Sequence, residues 1–238
     1  VYNWTNTWVP IGLPASGSGD IAPFTALNSN NSASVAAIRV TPTANGCLGT
    51  EKMFTITVNP TPNVVQPPNQ SLCNGATTNA ITFTGAMNSA TYSWSNSNPS
   101  IGLAATGTGN IAGFAAINTG NAPVTATITV TPATNLCTGA PITFTITVHP
   151  TPLVAAGNDA NVCLGNSIQL SASGASDYYW SPADRLSCTN CPNPVSTPIN
   201  NIHYTVRGVS SFGCEAFDSI SLTVIRPFQM LVSPNDTL

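Results

Sequence analysis

Apolar and hydroxyl side chains alternate along several short stretches of the chain. Residues 91–94, 124–130 and 142–148 carry an apolar or aromatic residue at every second position, with Thr or Ser between them. Because side chains of a β-strand point alternately to its two faces, this period of two predicts strands with one face in a core. Short strands with Gly, Asn and Pro turns, over about 75 to 90 residues per unit, favour a two-sheet antiparallel sandwich. The predicted fold class is therefore all-β, built from immunoglobulin-like β-sandwiches in series.

The same pattern returns along the chain at a constant spacing. Residues 1–62 align without a gap on residues 91–152, an offset of 90, and the closing strand at 54–58 recurs at 144–148. A third, shorter and more divergent copy follows. A Tyr/Trp pair stands at residues 2/4, 92/94 and 178/180. Such a repeat predicts one structural unit used three times.

Proline-containing junctions near residues 61, 151 and 227 separate the copies, because proline is excluded from central strands and stiffens short linkers. We predict an incomplete module at 1–61, a complete module at 62–151 and a shorter, divergent module at 152–227. Residues 234–238 resemble residues 68–72, the stretch just before Cys73, and residues 228–238 are therefore predicted to be the first strand of a following module. The chain is therefore expected to be a window from a longer tandem array.

Charged residues are scarce throughout the chain. Only 5 Lys and Arg and 8 Asp and Glu occur, and the net charge is −3. Five dispersed basic side chains neutralise few phosphates, so a nucleic-acid or anionic-membrane partner is disfavoured. No apolar run approaches the roughly 18 residues that a spanning helix needs, so no membrane insertion is predicted for this chain.

The titratable residues do not follow the repeat. Asp20 aligns with Asn110 and Glu51 with Pro141, whereas the aromatic, Gly, Pro and Cys positions recur. General acid–base catalysis needs positioned titratable groups, and the third module's charges fall in no known catalytic or metal-binding spacing. We therefore predict that the chain is not an enzyme and holds no catalytic residue, cofactor or metal.

Seven cysteines in a chain so poor in charge indicate an oxidising compartment. Since the second and third modules each hold a cysteine early and another late, we predict the intramodular disulfides Cys73–Cys137 and Cys163–Cys214. Cys47 aligns with Cys137, and its partner would precede residue 1, so it is expected to be unpaired in this chain.

Two further features stand outside the repeat. Cys188 and Cys191 form a Cys-x-x-Cys motif, which serves local disulfides, free thiols or metal sites, and the local disulfide is favoured over the other two. Trp8 aligns with Asn98 and so has no aromatic counterpart, which makes it the candidate for an exposed contact against the alternative of an isolated surface residue.

Several stretches carry a resemblance to a known family. In the second module these are YSWSNSNP at 92–99, GTGNI at 107–111 and VTATITVTP at 124–132; in the third they are WSP at 180–182, CTNCPNP at 188–194 and FGC at 212–214. The chain resembles the PKD-like, immunoglobulin-like repeats of large surface proteins of Bacteroidota. It is similar to gliding-motility adhesins of SprB type, which the type IX secretion system exports.

This resemblance implies an extracellular, cell-surface protein whose repeats form a stalk that holds a distal adhesive region away from the cell. The partners it implies are neighbouring modules, with surface polysaccharide or the envelope motility machinery as further candidates. The alternatives are a carbohydrate-binding accessory region of a secreted enzyme and a subunit of a self-assembling surface fibre. O-glycosylation in the same lineage suggests Ser219 and Thr237 as acceptors, each within an Asp-Ser/Thr-apolar triplet, against the alternative of ordinary strand and linker sequence.

Overall fold

A computed structural model describes residues 1–227. Residues 228–238, with the strand expected there and the candidate glycosylation site Thr237, lie outside the described part. We keep the names module one for residues 1–61, module two for residues 62–151 and module three for residues 152–227.

The regular secondary structure of the described residues is almost all strand, with two short 3₁₀-helices at Val9–Ile11 and Pro99–Ile101. This confirms the all-β class and the tandem immunoglobulin-like sandwiches. The strands are β1 (Tyr2–Asn6), β2 (Ser16–Ser18), β3 (Ser34–Ala44), β4 (Cys47–Leu48), β5 (Lys52–Val58), β6 (Gln70–Cys73), β7 (Thr91–Asn96), β8 (Thr106–Thr108), β9 (Val124–Ala133), β10 (Ile142–His149), β11 (Ala160–Cys163), β12 (Ile168–Gln169), β13 (Asp177–Ser181), β14 (Val195–Ser196), β15 (Ile202–Val209) and β16 (Glu215–Ile225).

Each module has its own main sheet. Module two orders its strands β6-β10-β9-β7-β8, and module one repeats this as β2-β1-β3 with β5 and β4 also paired to β3. Module three has the order β11-β16-β15-β13, with β12 and β14 forming a separate pair. In module two the opposite face is formed by irregular segments joined through single bridges at Thr77–Ala115 and Ile81–Ile111. The repeat seen in the sequence is thus a repeat of sheet topology.

Most neighbouring strands are antiparallel, but the first strand of each complete module is parallel to the last. β6 pairs with β10, and Cys73 lies opposite His149; β11 pairs with β16, and Cys163 lies opposite Ile225. Parallel neighbours need a long connection, which the intervening strands of the sandwich provide. The first strand therefore ends at the same end of the module as the last strand.

Three separate cores fill the modules. In module two the alternation of β9 and β10 buries their apolar positions, so that Ile128, Phe144 and Ile146 are almost fully enclosed. Trp94 on β7 lies over Gly107 on β8, where an added Cβ would sit 2.1 Å from the ring. The recurring Tyr/Trp pair thus supplies a core tryptophan, since Trp4, Trp94 and Trp180 are all buried.

Module one is less enclosed than module two. Phe54 is 46% exposed, whereas the equivalent Phe144 is 2% exposed. Among the described residues, module one has no strand in the place of β6 and no segment equivalent to residues 63–90. The missing cover explains why the same side chain has different exposure in the two copies.

Candidate functional site: the junction of modules two and three

A disulfide between Cys73 and Cys214 joins module two to module three. Cys73 is the last residue of β6, and Cys214 stands just before β16 in the hairpin that β15 and β16 form. Their Cα atoms are 5.5 Å apart, and 141 positions separate them in sequence. The link is therefore between modules.

This pairing corrects the intramodular disulfides Cys73–Cys137 and Cys163–Cys214 that the sequence suggested, and leaves Cys137 and Cys163 as free thiols. The two cysteines of one module lie at opposite ends of its last strand. In module two that strand is β10, whose eight residues span roughly 25 Å at about 3.3 Å per residue. Such a span exceeds the 4.4–6.8 Å between Cα atoms that a disulfide allows.

Aromatic and polar contacts surround the cross-link. The ring of His149, at the end of β10, stacks on Phe212 of module three with centroids 4.1 Å apart. On the other side, Nε2 of His149 lies 2.8 Å from the hydroxyl of Ser71 on β6. The end of β10 therefore contacts the hairpin of module three through the ring of His149.

Asn74, the residue after Cys73, is hydrogen-bonded to the end of β10 and to the linker. Its backbone N–H donates to the carbonyl of His149, and its side-chain amide donates to the hydroxyl of Thr151 at 3.2 Å. The side-chain Oδ1 of Asn74 accepts a hydrogen bond from the backbone N–H of Asn118 at 2.8 Å. One side chain thus connects β6, the linker and the loop that precedes β9.

An open cleft of about 670 Å³ lies beside the cross-link. Its walls come from both modules and contain apolar and small polar residues, among them Asn121, Pro152, Leu153, Ala175, Ser211 and Phe212. None of its lining residues is titratable, so the cleft provides no general acid or base.

A second disulfide closes the Cys-x-x-Cys turn between Cys188 and Cys191. The backbone N–H of Trp180 donates to the carbonyl of Thr189, and the indole N–H donates to the carbonyl of Cys191 at 3.1 Å. The equivalent indole N–H groups of Trp4 and Trp94 have no protein partner. The turn therefore supplies hydrogen-bond acceptors for the backbone and the indole of Trp180, a core residue of module three.

Trp8 is 45% exposed. Its counterpart Asn98 accepts a hydrogen bond from the N–H of Ser100 and so caps the short helix Pro99–Ile101, whereas the Trp8 side chain makes no cap bond. At this position module one therefore has an exposed indole, where module two has a capping hydrogen bond.

The candidate glycosylation residue Ser219 lies inside β16, opposite Thr205 of β15, and is partly exposed. The preceding Asp218 accepts a hydrogen bond at 2.7 Å from the N–H of Ala156. This bond, and after it a bond from the N–H of Ser219, lowers the pKa of Asp218. The Asp218 carboxylate of the Asp-Ser-Ile triplet is thus a hydrogen-bond acceptor for the backbone of module three.

Within residues 1–227, no group of three or more His, Cys, Asp or Glu side chains is placed to hold a metal ion. In the same part of the chain, no helix has the length and apolar character needed to cross a membrane.

The junction residues His149, Phe212 and Asn74 were not singled out in the sequence. His149 aligns with Asn59, so, like the charged residues, it does not recur in the repeat and was not counted among the candidate functional residues. The sequence held no signal for the disulfide pairing, because the pairing depends on the parallel alignment of β6 with β10, which places Cys73 and the β9–β10 hairpin at opposite ends of module two.

A comparison with protein families found a match, which lies in the central part of the chain. Residues 70–152 match the family described as the PKD-like domain. A comparison with curated proteins found no match. The match to the PKD-like domain therefore covers module two, whose sequence module one repeats.

A comparison with solved structures found similarity to tandem immunoglobulin and cadherin domains. The chain is similar to the two immunoglobulin domains of DIP-gamma, with 10% identity, 69% of this chain and 98% of that chain covered, and a TM-score of 0.39. It is also similar to the insect immune protein hemolin, with 11% identity, coverage of 94% and 68%, and a TM-score of 0.36. For protocadherin gamma B2 domains 3–6 the identity is 12%, the coverage 95% and 69%, and the TM-score 0.36.

Proposed function

We propose that the chain is a stalk segment of a large extracellular surface adhesin or filament of gliding-motility type. Its modules hold a distal adhesive region away from the cell and bear load, without catalysis and without a cofactor. The partners are the neighbouring modules, with surface polysaccharide or the envelope motility machinery at the ends of the array.

The observation that carries this proposal is the Cys73–Cys214 disulfide. Force applied to the two ends of the chain passes from Cys73 through the two sulfur atoms to Cys214, bypassing everything between them. The bypassed 141-residue separation corresponds to about 490 Å of extended chain at roughly 3.5 Å per residue. Modules two and three therefore resist extension even where their sheets open.

The surface and the compartment fit this role. Disulfides persist in oxidising environments outside the cytoplasm, which supports an extracellular location. The cleft beside the cross-link contains no titratable side chain, and the ion pairs Arg39–Glu51 and Arg207–Glu215 lie at the surface with partly exposed side chains. Attachment to a gliding apparatus and export by type IX secretion rest on the family resemblance.

Single-molecule force spectroscopy on the full chain, tethered at its two termini, tests the load-bearing role. With the disulfides intact, complete extension should stop about 490 Å short of the length reached after reduction. The Cys73→Ser variant should reach the longer length without reductant, and Cys137→Ser should behave as the unmodified chain. Equal lengths for oxidised and reduced chain would remove the proposal's mechanical basis.

Imaging of living cells that express the protein, with an antibody against this fragment, tests the cellular role. Signal that travels along the cell surface supports the gliding adhesin. Signal found only in the medium, together with a hydrolase, supports an accessory region of a secreted enzyme, and static surface fibres support an assembled filament.

A second candidate function is carbohydrate binding at Trp8, supported by the loss of the helix-capping role that Asn98 has in module two. Exposed indole rings offer flat apolar faces to ligands. Saturable binding on a glycan array that is lost in Trp8→Ala supports this candidate; unchanged binding, or no binding, leaves the stalk function.

A further inference from the structure

The cysteines of the chain occupy only two kinds of position outside the Cys-x-x-Cys turn. Cys137 and Cys214 stand at the same place in a hairpin. In module two the N–H of Cys137 donates to the Thr134 hydroxyl, and its carbonyl accepts from the Thr134 N–H. In module three the N–H of Cys214 donates to the Ser210 hydroxyl, and its carbonyl accepts from the Ser210 N–H. We call this position the hairpin tip.

Cys47 shares the hairpin-tip position in module one. Its hairpin closes with a bond from the N–H of Gly49 to the carbonyl of Pro42, and the hairpin of Cys137 closes with the equivalent bond from Gly139 to Pro132. The three hairpin-tip cysteines are therefore Cys47, Cys137 and Cys214.

Cys73 and Cys163 occupy the second kind of position, which we call the strand end. Each is the last residue of a first strand that runs parallel to the last strand of its module. The next residue's N–H donates to that last strand in both cases, from Asn74 to His149 and from Leu164 to Ile225. Cys163 thus repeats the setting of Cys73 at the far end of module three.

The junction of modules one and two is built like the junction that carries the disulfide. The cleft at the first junction is lined by Asn31, Pro60 and the hairpin of module two, including Leu136. The cleft at the second is lined by the equivalents Asn121 and Pro150 and by the hairpin of module three. At both junctions the hairpin of the later module lies against the end of the earlier module at which that module's last strand ends. This is the end at which a strand-end cysteine is placed.

We propose that the strand-end cysteine of each module forms a disulfide with the hairpin-tip cysteine of the module docked at that end. Cys163 is then a covalent attachment site for a module of this kind. Cys47 and Cys137 are attachment sites for the strand-end cysteine of a module docked in front of their own. Cys73–Cys214 is the one such link whose two halves both lie in the described chain.

Formation of each link is a two-electron oxidation. Two thiols lose two protons and two electrons, and one sulfur–sulfur bond forms. A low-molecular-weight disulfide is the oxidant, and its own sulfur–sulfur bond breaks to give two thiols. Cys47 and Cys163 are exposed, which leaves them open to this exchange.

A second copy of the chain supplies the partner for a direct test. In a glutathione redox buffer at high protein concentration, we expect head-to-tail oligomers linked from Cys163 of one copy to Cys47 of the next. Peptide mapping under non-reducing conditions identifies that pair. A mixture of Cys163→Ser and Cys47→Ser chains should stop at dimers, because each variant retains only one of the two attachment sites.

Cys137→Ser is the matched control. Module one already lies against the hairpin of module two, so a second copy's module three cannot dock there, and the loss of Cys137 should leave the oligomers unchanged. Random mixtures of Cys47–Cys47, Cys163–Cys163 and Cys47–Cys163 links would overturn the proposal, as would absence of linked species. Neither result would alter the force measurement, which depends on Cys73–Cys214 alone.

Protein isolated from its native cells with thiols blocked shows the source of the partner. A Cys163 disulfide within one chain leaves the mass on a gel unchanged by reduction, whereas a disulfide between chains gives a larger species that reduction removes. Both support the rule, provided that the partner is a hairpin-tip cysteine. A blocked, unpaired Cys163 in native material contradicts it.

Discussion

The imidazole of His149 lies against the phenyl ring of Phe212, with centroids 4.1 Å apart and ring planes 19° apart. One ring belongs to the last residue of β10 and the other to the hairpin of module three. The disulfide limits how far these two elements separate, but a single pair of sulfur atoms still allows rotation. The stacked rings oppose tilting, since aromatic pairs contribute about 0.5–1.5 kcal/mol beyond their buried area.

Loss of this stack should increase the range of angles between modules two and three while the Cys73–Cys214 disulfide keeps them joined. In Phe212→Ala we expect a broader distribution of angles between modules two and three, measured by residual dipolar couplings or small-angle scattering, with the disulfide still formed. Phe217→Ala is the control, because Phe217 is 64% exposed on β16 of the same module. An angular distribution equally broad in both variants would show that the stack has no orienting role.

The contact between Trp94 and Gly107 should be intolerant of a methyl group. A Cβ at Gly107 would lie 2.1 Å from the Trp94 ring, so Gly107→Ala must displace the indole or the strand. Overpacking of this kind costs about 1–3 kcal/mol in unfolding free energy. Thr106→Ala, at an exposed neighbouring position, should change stability by about 0.5 kcal/mol or less. Urea unfolding of both variants measures the difference.

The strands within a module were predictable because two local signals agreed. Alternation along residues 142–148 predicts β10, and the offset of 90 transfers each strand from one copy to the next. Trp94 lies in the core as the alternation along residues 91–94 predicts, because that alternation places it on the apolar face of a strand. These inferences need only neighbours in sequence or in the repeat.

The cysteine pairing could not be obtained from the same signals. Spacing shows which cysteines are equivalent, but it does not show at which end of the sandwich each one lies. That depends on the parallel pairing of β6 with β10, which brings Cys73 beside His149 and leaves Cys137 at the other end. Contacts across a module junction, such as the stacking of Phe212, have no counterpart in the pattern of a single strand.

Equivalent phenylalanines in modules one and two should contribute unequally to stability. Phe144→Ala removes a side chain that is 2% exposed and should cost about 3–5 kcal/mol in module two. Phe54→Ala acts on a side chain that is 46% exposed, and should cost module one about 1 kcal/mol or less. Hydrogen exchange followed by mass spectrometry separates the modules. Similar losses at the two sites would mean that Phe54 is covered in solution.

The stability of module three should depend on pH through Asp218. Hydrogen bonds from the N–H groups of Ala156 and Ser219 lower its folded pKa below the unfolded value of about 3.9. The stabilisation is therefore present above that value and is lost as pH falls through the folded pKa.

Thermal unfolding between pH 2 and 6 tests this dependence. The chain should lose stability on acidification below about pH 4, and Asp218→Asn should show a shallower loss. Asp177→Asn removes a carboxylate from an exposed position of the same module and serves as the control. Parallel curves for Asp218→Asn and the unmodified chain would exclude Asp218 as the source.

The Cys188–Cys191 turn should stabilise module three through Trp180. The disulfide holds the carbonyl of Cys191 at 3.1 Å from the indole nitrogen, so the double change Cys188→Ser and Cys191→Ser frees the turn and weakens this bond. Closing so short a loop contributes about 2 kcal/mol on the chain-entropy estimate. We expect a loss of that size in module three and faster hydrogen exchange at the Trp180 indole N–H, with module two unchanged. The Trp94 indole, which lacks a protein partner, provides the internal reference. If exchange at Trp180 stays as slow as in the unmodified chain, the strands alone hold the indole and the turn is dispensable.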